Sequence, residues 1–133
     1  MGNQFTHLHV HTEFSLLDGA CRIKELINKA KELNMTSLAI TDHGSMYGVV
    51  EFFKSAKKAG IKPILGFEAY VSPRKMTDID PQIDKNQYHL ILLAENYEGF
   101  KNIMKLCSAG FVDGYYYKPR VDHETLKLYS KGV

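Results

Sequence analysis

The chain has 133 residues, 44% hydrophobic and 24% charged, the balance of a folded domain with a core of its own. That argues against a disordered tail, a collagen or a coiled coil, and no apolar run approaches the ~20 residues that span a bilayer. A formal charge of +2 is too small to argue nucleic-acid binding by itself, and the two cysteines, Cys21 and Cys107, make no disulfide framework. The first residues lack a basic-then-apolar leader, so the expected compartment is a reducing cytoplasm, with no membrane partner.

In chain order, residues 5–10 alternate as a strand, with Phe5, His7, His9 and His11 on one face. A turn region runs through Ser15, Asp18 and Gly19. Ile23, Leu26, Ile27, Ala30 and Leu33 recur at helical spacing and predict an amphipathic helix over 22–33. Residues 37–41 read as a short apolar strand. Val49, Phe52, Phe53, Ala56 and Ala59 give the next helix, closed by Gly60 with Pro63 just beyond. Residues 64–71 form a third strand. Residues 72–87 are polar, contain Pro73 and Pro81, and read as a loop. Residues 88–94 form a fourth strand. Asn96 then caps a helix carrying Phe100, Ile103, Met104 and Cys107, which Gly110 ends. FVDGYYYKPR reads as loop, Asp122 as the cap of a short helix to Leu128, and residues 131–133 as the run-up to another strand. The alternation predicts an α/β fold of about four parallel strands with flanking helices. Its strand C-termini gather on one side, where the chemistry of such folds collects.

The unusual residues fall on that side. His9 and His11 close the first strand, and Asp18 follows in the loop. Asp42 and His43 close the second strand within TDHG. Glu68 lies near the end of the third, sharing a face with Ile64, Gly66 and Tyr70. His89 opens the fourth strand and fits least well, being at the wrong end. Imidazole nitrogens and carboxylate oxygens are the ligand set of Zn²⁺, Mn²⁺ or Fe²⁺. An H-x-H pair on a strand aims both rings one way, about 7 Å apart. A glutamate can bridge two metals about 3.5–4 Å apart, an arrangement suited to phosphoester hydrolysis.

Blander readings stand beside these. His7 reads as a packed group or one supporting the ligands from behind. Asp42 is read either as accepting the ring N–H of a ligand histidine or as a satisfied turn aspartate. Lys54, Lys57 and Lys58 make a solvated helix face. Tyr115, Tyr116 and Tyr117, beside Lys118 and Arg120, offer stacking and charge to a nucleic acid or a partner, or else a packed turn with exposed rings.

Taken together, HVHTEFSLLDG, AITDHGSMYG, GFEAYV and YHLILLA, in that order, closely resemble the PHP (polymerase and histidinol phosphatase) domain. The nearer likeness is to its form at the amino terminus of the α subunit of bacterial DNA polymerase III, and it runs from residue 5 to 133. The resemblance implies a distorted (β/α)7 barrel binding up to three divalent metals, zinc or manganese, at the strand C-termini. His9 and His11 match the first motif's ligands, Asp18 the next ligand, and His43 the second motif's ligand. Glu68 matches the bridging carboxylate and His89 the histidine after it. By that match His9, His11 and Glu68 serve one metal, Glu68 and His89 a second, and Asp18 and His43 a third. Glu68, His43 and Asp18 would carry catalysis.

The family pattern continues with a further Cys or His and a late Asp-x-His pair that this sequence does not contain. The expectation is therefore an amino-terminal part of a PHP domain, a partial barrel covering residues 1–133. Such a part is expected to be inactive alone and to self-associate through an open sheet edge. The resemblance further implies metal-dependent phosphoester hydrolysis, as a 3′–5′ exonuclease for proofreading within a replicative DNA-directed DNA polymerase. Its partners would be DNA and other polymerase subunits, including a separate proofreading exonuclease. Two alternatives remain: a non-catalytic, metal-stabilised scaffold that docks a proofreading subunit, and a free-standing phosphoesterase of the histidinol-phosphate type.

Overall fold

The computed structural model describes residues 5–133. In chain order it contains α1 (Ile23–Glu32), β1 (Ser37–Ile40), α2 (Val49–Ala59), β2 (Lys62–Val71), β3 (Tyr88–Leu93), α3 (Tyr97–Val112), β4 (Tyr115–Tyr116), β5 (Lys118–Val121) and α4 (His123–Leu128). The fold is α/β, as predicted, and β2 is its spine. β1 runs parallel to the first half of β2, from Ser37↔Lys62 to Ile40↔Leu65. β5 runs parallel to its end, through Tyr70↔Arg120 and Val71↔Val121.

Four parallel strands are not what forms. The predicted fourth strand, β3, is antiparallel to β2, from Gly66↔Leu93 to Val71↔Tyr88. A parallel return normally needs a crossover helix. Residues 72–87 contain none, and they bring the chain straight back beside β2. The third parallel strand comes instead from FVDGYYYKPR, read as loop, which makes the β4–β5 hairpin through Tyr115↔Pro119 and Tyr116↔Lys118.

The first segment is extended alongside β1 but is not a regular strand. His7 O accepts from Ala39 N at 3.0 Å, and Val10 O accepts from Thr41 N at 2.9 Å. Three residues are spent on one side against two on the other, which breaks the ladder as a bulge does. The Thr41 hydroxyl fills the gap, accepting from Val10 N at 2.7 Å and donating to Val10 O at 3.1 Å. Nor does Gly110 end its helix, since α3 continues to Val112. A Cβ at Gly110 would sit 3.3 Å from the Pro119 carbonyl, so that glycine serves close helix–strand packing. Residues 131–133 form a turn, not a strand, and Gly132 O accepts from Glu95 N at 2.9 Å.

Two apolar clusters support the sheet. The α1 and α2 stripes meet β1 through Ile23, Ile27, Leu38, Ile40 and Phe52. Fully burying a side chain such as Phe52 contributes about 1.5–3 kcal/mol. Phe67, Ala69 and Val71 of β2 pack with Ile103 and Leu106 of α3. Because side chains alternate along a strand, Glu68 and Tyr70 are thrown to the opposite face. Asn96 and Asp122 cap α3 and α4 as predicted, accepting from Gly99 N and Thr125 N. No described helix is long and apolar enough to cross a membrane.

Candidate metal centre

Glu68 is 2% exposed and is the hub of the site. Its Oε2 lies 2.9 Å from His9 Nε2, 3.0 Å from His11 Nε2 and 3.4 Å from His43 Nδ1. Its Oε1 pairs with His89 Nδ1. His43 Nε2 lies 3.0 Å from Asp18 Oδ2. His9, His11, Asp18, His43, Glu68 and His89, all named from the sequence, are thus brought together.

Each comes from a different local cause. The backbone ladder from β1 to β2 continues past the end of β1, with Glu68 N donating to Asp42 O at 3.0 Å and Gly44 N donating to Glu68 O at 2.8 Å. That sets His43 beside Glu68. The antiparallel register Tyr70↔His89 puts the start of β3 at the end of β2. His89 therefore reaches the site from what looked like the wrong end of its strand. The rings then stack: His11 on His43 with centroids 4.0 Å apart, and His43 over Tyr70 at 6.1 Å.

Asp42 does not take a histidine N–H. Its buried carboxylate accepts from Thr12 N at 2.6 Å, Thr12 Oγ1 at 2.8 Å and Ser15 Oγ at 2.8 Å. Ser15 Oγ in turn accepts from His43 N at 3.2 Å. Asp42 thereby fastens the loop that carries Asp18 to the end of β1. Gly19 closes that loop, because a Cβ there would lie 1.9 Å from Thr12 O. His7 stands apart, edge-to-face on Phe5 with centroids 4.7 Å apart.

Arg120, expected at a partner surface, is fully buried. Its guanidinium donates to Gly114 O, Asp84 O, Met76 O and Asp78 O at 2.6–3.1 Å, binding residues 76–84 to the hairpin. The Tyr116 ring covers that guanidinium at 5.1 Å. Lys118 lies instead over Tyr70, beside the cluster. Thr12, Ser15 and Tyr70 were missed as parts of the site. For Tyr70 a signal existed in its shared strand face with Glu68; for Thr12 and Ser15 none did.

Residues 7–133 match the PHP domain family. The chain belongs to that family. It is 50% identical over 132 residues to the DNA polymerase III subunit alpha of Borreliella burgdorferi, covering 98% of this chain and 12% of the relative. It is 49% identical to the Helicobacter pylori subunit, at 97% and 10% coverage, and 45% identical to that of Aquifex aeolicus, at 100% and 12%. The chain thus spans about a tenth of the length of these curated relatives. Among solved structures it resembles a protein assigned as a metal-dependent phosphoesterase from Bifidobacterium adolescentis, with TM-score 0.58, 22% identity and coverage of 81% and 33%. It also resembles an amidohydrolase from Chromobacterium violaceum with sulfate bound, with TM-score 0.56, 26% identity and coverage of 78% and 32%.

The electrostatics of this PHP site suit a cation. Burial pushes the Glu68 carboxyl up, but hydrogen bonds from His9 and His89 outweigh it and hold the group below the usual carboxylate range. The hydrogen bond from His43 holds Asp18 low. Burial pulls the His11 imidazole down, and neighbouring His43 adds to that, so His11 is neutral near pH 7 with a lone pair to give. His9 Nε2, His11 Nε2 and Glu68 Oε2 lie 2.9–3.0 Å from one another. Three such contacts cannot all be hydrogen bonds. If both rings donate to Glu68, two N–H groups face each other across 2.9 Å. His11 Nδ1 is also buried, with no hydrogen-bond partner among the described residues. A divalent cation shared by the three atoms resolves the conflict. Among the described residues there are two such groups, His9–His11–Glu68 and His43–Glu68–His89, with Glu68 common to both.

Proposed function

We propose that this chain is a PHP segment of a bacterial DNA polymerase III α subunit and that its cluster is a divalent-metal phosphoesterase centre. In the whole polymerase that centre acts as a 3′–5′ exonuclease. The observation that carries the reading is the convergence of His9, His11 and His43 on one oxygen of Glu68, with His89 on the other. The 50% identity to a polymerase α subunit supports the parent.

His9, His11 and Glu68 would hold one cation, and Glu68, His43 and His89 a second; Zn²⁺ and Mn²⁺ both suit these donors. Bound there, divalent cations supply Lewis acidity toward a phosphoryl oxygen and acidify water. The protein does the rest. Glu68, buried and ionised, fixes four imidazoles about one point. Asp18, 58% exposed at its side chain and ionised at neutral pH, stands on the solvent side to take the proton of an attacking water. His43, 3.0 Å away, orients Asp18 and stabilises its charge. The openness of His9, His89 and Asp18, each more than half exposed, favours substrate access over the closed shell of a structural metal site.

Elemental analysis of the purified chain tests the centre, and nuclease assays on the polymerase that contains it test the activity. The His9→Ala/His43→Ala pair should lose bound metal and the polymerase-independent exonuclease. Unchanged metal content with unchanged exonuclease activity overturns the reading.

A further inference from the structure

We infer that Lys118 is an anion-anchoring residue of this centre, its ammonium taking a non-bridging oxygen of the phosphoryl group held beside His43, Glu68 and His89. The inference rests on the phosphoesterase reading and deepens it, since it adds a substrate contact from the β4–β5 hairpin.

The strand register carries the first step. Tyr70 pairs with Arg120 in parallel, so Lys118, two residues earlier on β5, falls on the sheet face that carries Tyr70 and Glu68. Its Nζ lies 5.3 Å from the Tyr70 ring centroid. That ring meets His89 edge-to-face at 5.1 Å and lies nearly parallel to His43 at 6.1 Å. One aromatic ring therefore separates the ammonium from two of the candidate ligands.

The hairpin is held rigidly in that place. Gly44 follows His43 with φ +59, and a Cβ there would lie 2.9 Å from both Pro119 Cγ and Tyr70 Cε2. The residue after Lys118 is thus packed against the residue after His43. Two residues beyond Lys118, Arg120 ties β5 to four backbone carbonyls. A four-carbon side chain from a fixed strand can sweep a short arc over Tyr70 without moving the backbone.

Charge supplies the second step. Lys29 and Lys131 are paired with Glu32 and Glu98, whereas no carboxylate among the described residues lies within 4 Å of Lys118 Nζ. A cation resting on an aromatic face is weakly held and exchanges that contact readily for an anion. Phosphoryl transfer builds charge on the non-bridging oxygens, and lysine serves such oxygens as a point charge.

The test uses inorganic phosphate as probe, titrated calorimetrically into the Mn²⁺- or Zn²⁺-loaded chain, with metal content measured on the same samples. Lys118→Met should keep its metal and bind phosphate about tenfold more weakly, a decade being about 1.4 kcal/mol. Lys118→Arg should keep both. Wild-type affinity in metal-loaded Lys118→Met overturns the inference. So does metal lost together with phosphate, which would make Lys118 a support of the centre rather than a substrate contact. A wild-type chain that takes up no divalent metal overturns the phosphoesterase reading, and this inference with it.

Discussion

His89 meets Glu68 because β3 runs antiparallel to β2, which places Tyr70 opposite His89 and brings the start of one strand to the functional end of the other. The His89 side chain is 52% exposed, so its truncation removes a candidate ligand and little packing. His89→Ala should lower metal content and weaken the remaining affinity by about 100-fold, no less than the loss of a group behind a ligand costs. Its denaturant stability without metal should stay within about 0.5 kcal/mol of the parent. Added metal should raise the Tm of the parent more than that of the variant, since a ligand stabilises only as far as it binds. Equal Tm gains in both would remove His89 from the centre.

Asp42 governs the site from beneath. It accepts from Thr12 N, Thr12 Oγ1 and Ser15 Oγ, and Ser15 accepts from His43 N. Asp42→Ala strands three buried donors. Hydrogen bonds to a charged group contribute about 1.5–3 kcal/mol each, and their losses in one network are not additive. A fall in stability of about 2–4 kcal/mol is expected by urea denaturation, with metal affinity down about 10–100-fold as the Asp18 loop loosens. Asp42→Asn keeps the shape and half the acceptors, so its losses should be smaller on both counts.

Acid should loosen the segment between β2 and β3. Arg74 holds the Asp84 carboxyl below the usual range, helped by Asp80 N. For Asp122, burial pushes the carboxyl up, but Met76 N, Thr125 N and the Thr125 hydroxyl outweigh it and hold the group low. A folded value below the unfolded one means stability that is present above the unfolded value, near 3.9 for aspartate, and lost as pH falls through the folded value. Stability should therefore drop in that acid window. Asp84→Asn should be less stable than the parent at pH 7, with the difference narrowing as pH falls. A constant difference across pH would remove Asp84 as the titrating group.

The candidate ligands were legible because the chemistry restricts them to few residue types and the βα rhythm puts strand ends together. The α1 and α2 stripes were legible for the same local reason, since Ile23, Ile27 and Phe52 mark their own buried faces. Strand direction was not legible, because a period of two reads the same both ways. The path of residues 72–87 decides it, and that path is pinned by Arg120 and Asp84 across a separation no local pattern spans. Arg120 itself was misread because charged side chains are rarely buried unless every donor is met. Here backbone carbonyls meet them, and carbonyls leave no trace in a residue string. The slip between His7–Val10 and Ala39–Thr41 was hidden likewise, since alternation alone shows no bulge.

Arg120 also separates the fold from the centre. Its guanidinium satisfies Gly114 O, Met76 O, Asp78 O and Asp84 O, which join the hairpin to the loop beneath it. Arg120→Leu keeps some bulk but leaves those carbonyls unpaired in a dry interior, so a loss on the order of 3–5 kcal/mol is expected. Arg120→Lys should not rescue it, because one ammonium cannot reproduce a planar fork aimed at four acceptors. The candidate ligands, however, hang from the extended first segment, the residues after β1, β2, β3 and the Asp42-bound loop. Below its reduced denaturation temperature, Arg120→Leu should therefore bind metal as the parent does while its Tm falls sharply. Amide hydrogen exchange should show faster opening confined to residues 76–84 and 114–121, with the backbone amides of Glu68 and Gly44 still protected. Exchange rising equally at Glu68 and Gly44 would mean that the hairpin and the centre open together, and that Arg120 is part of the framework holding the ligands.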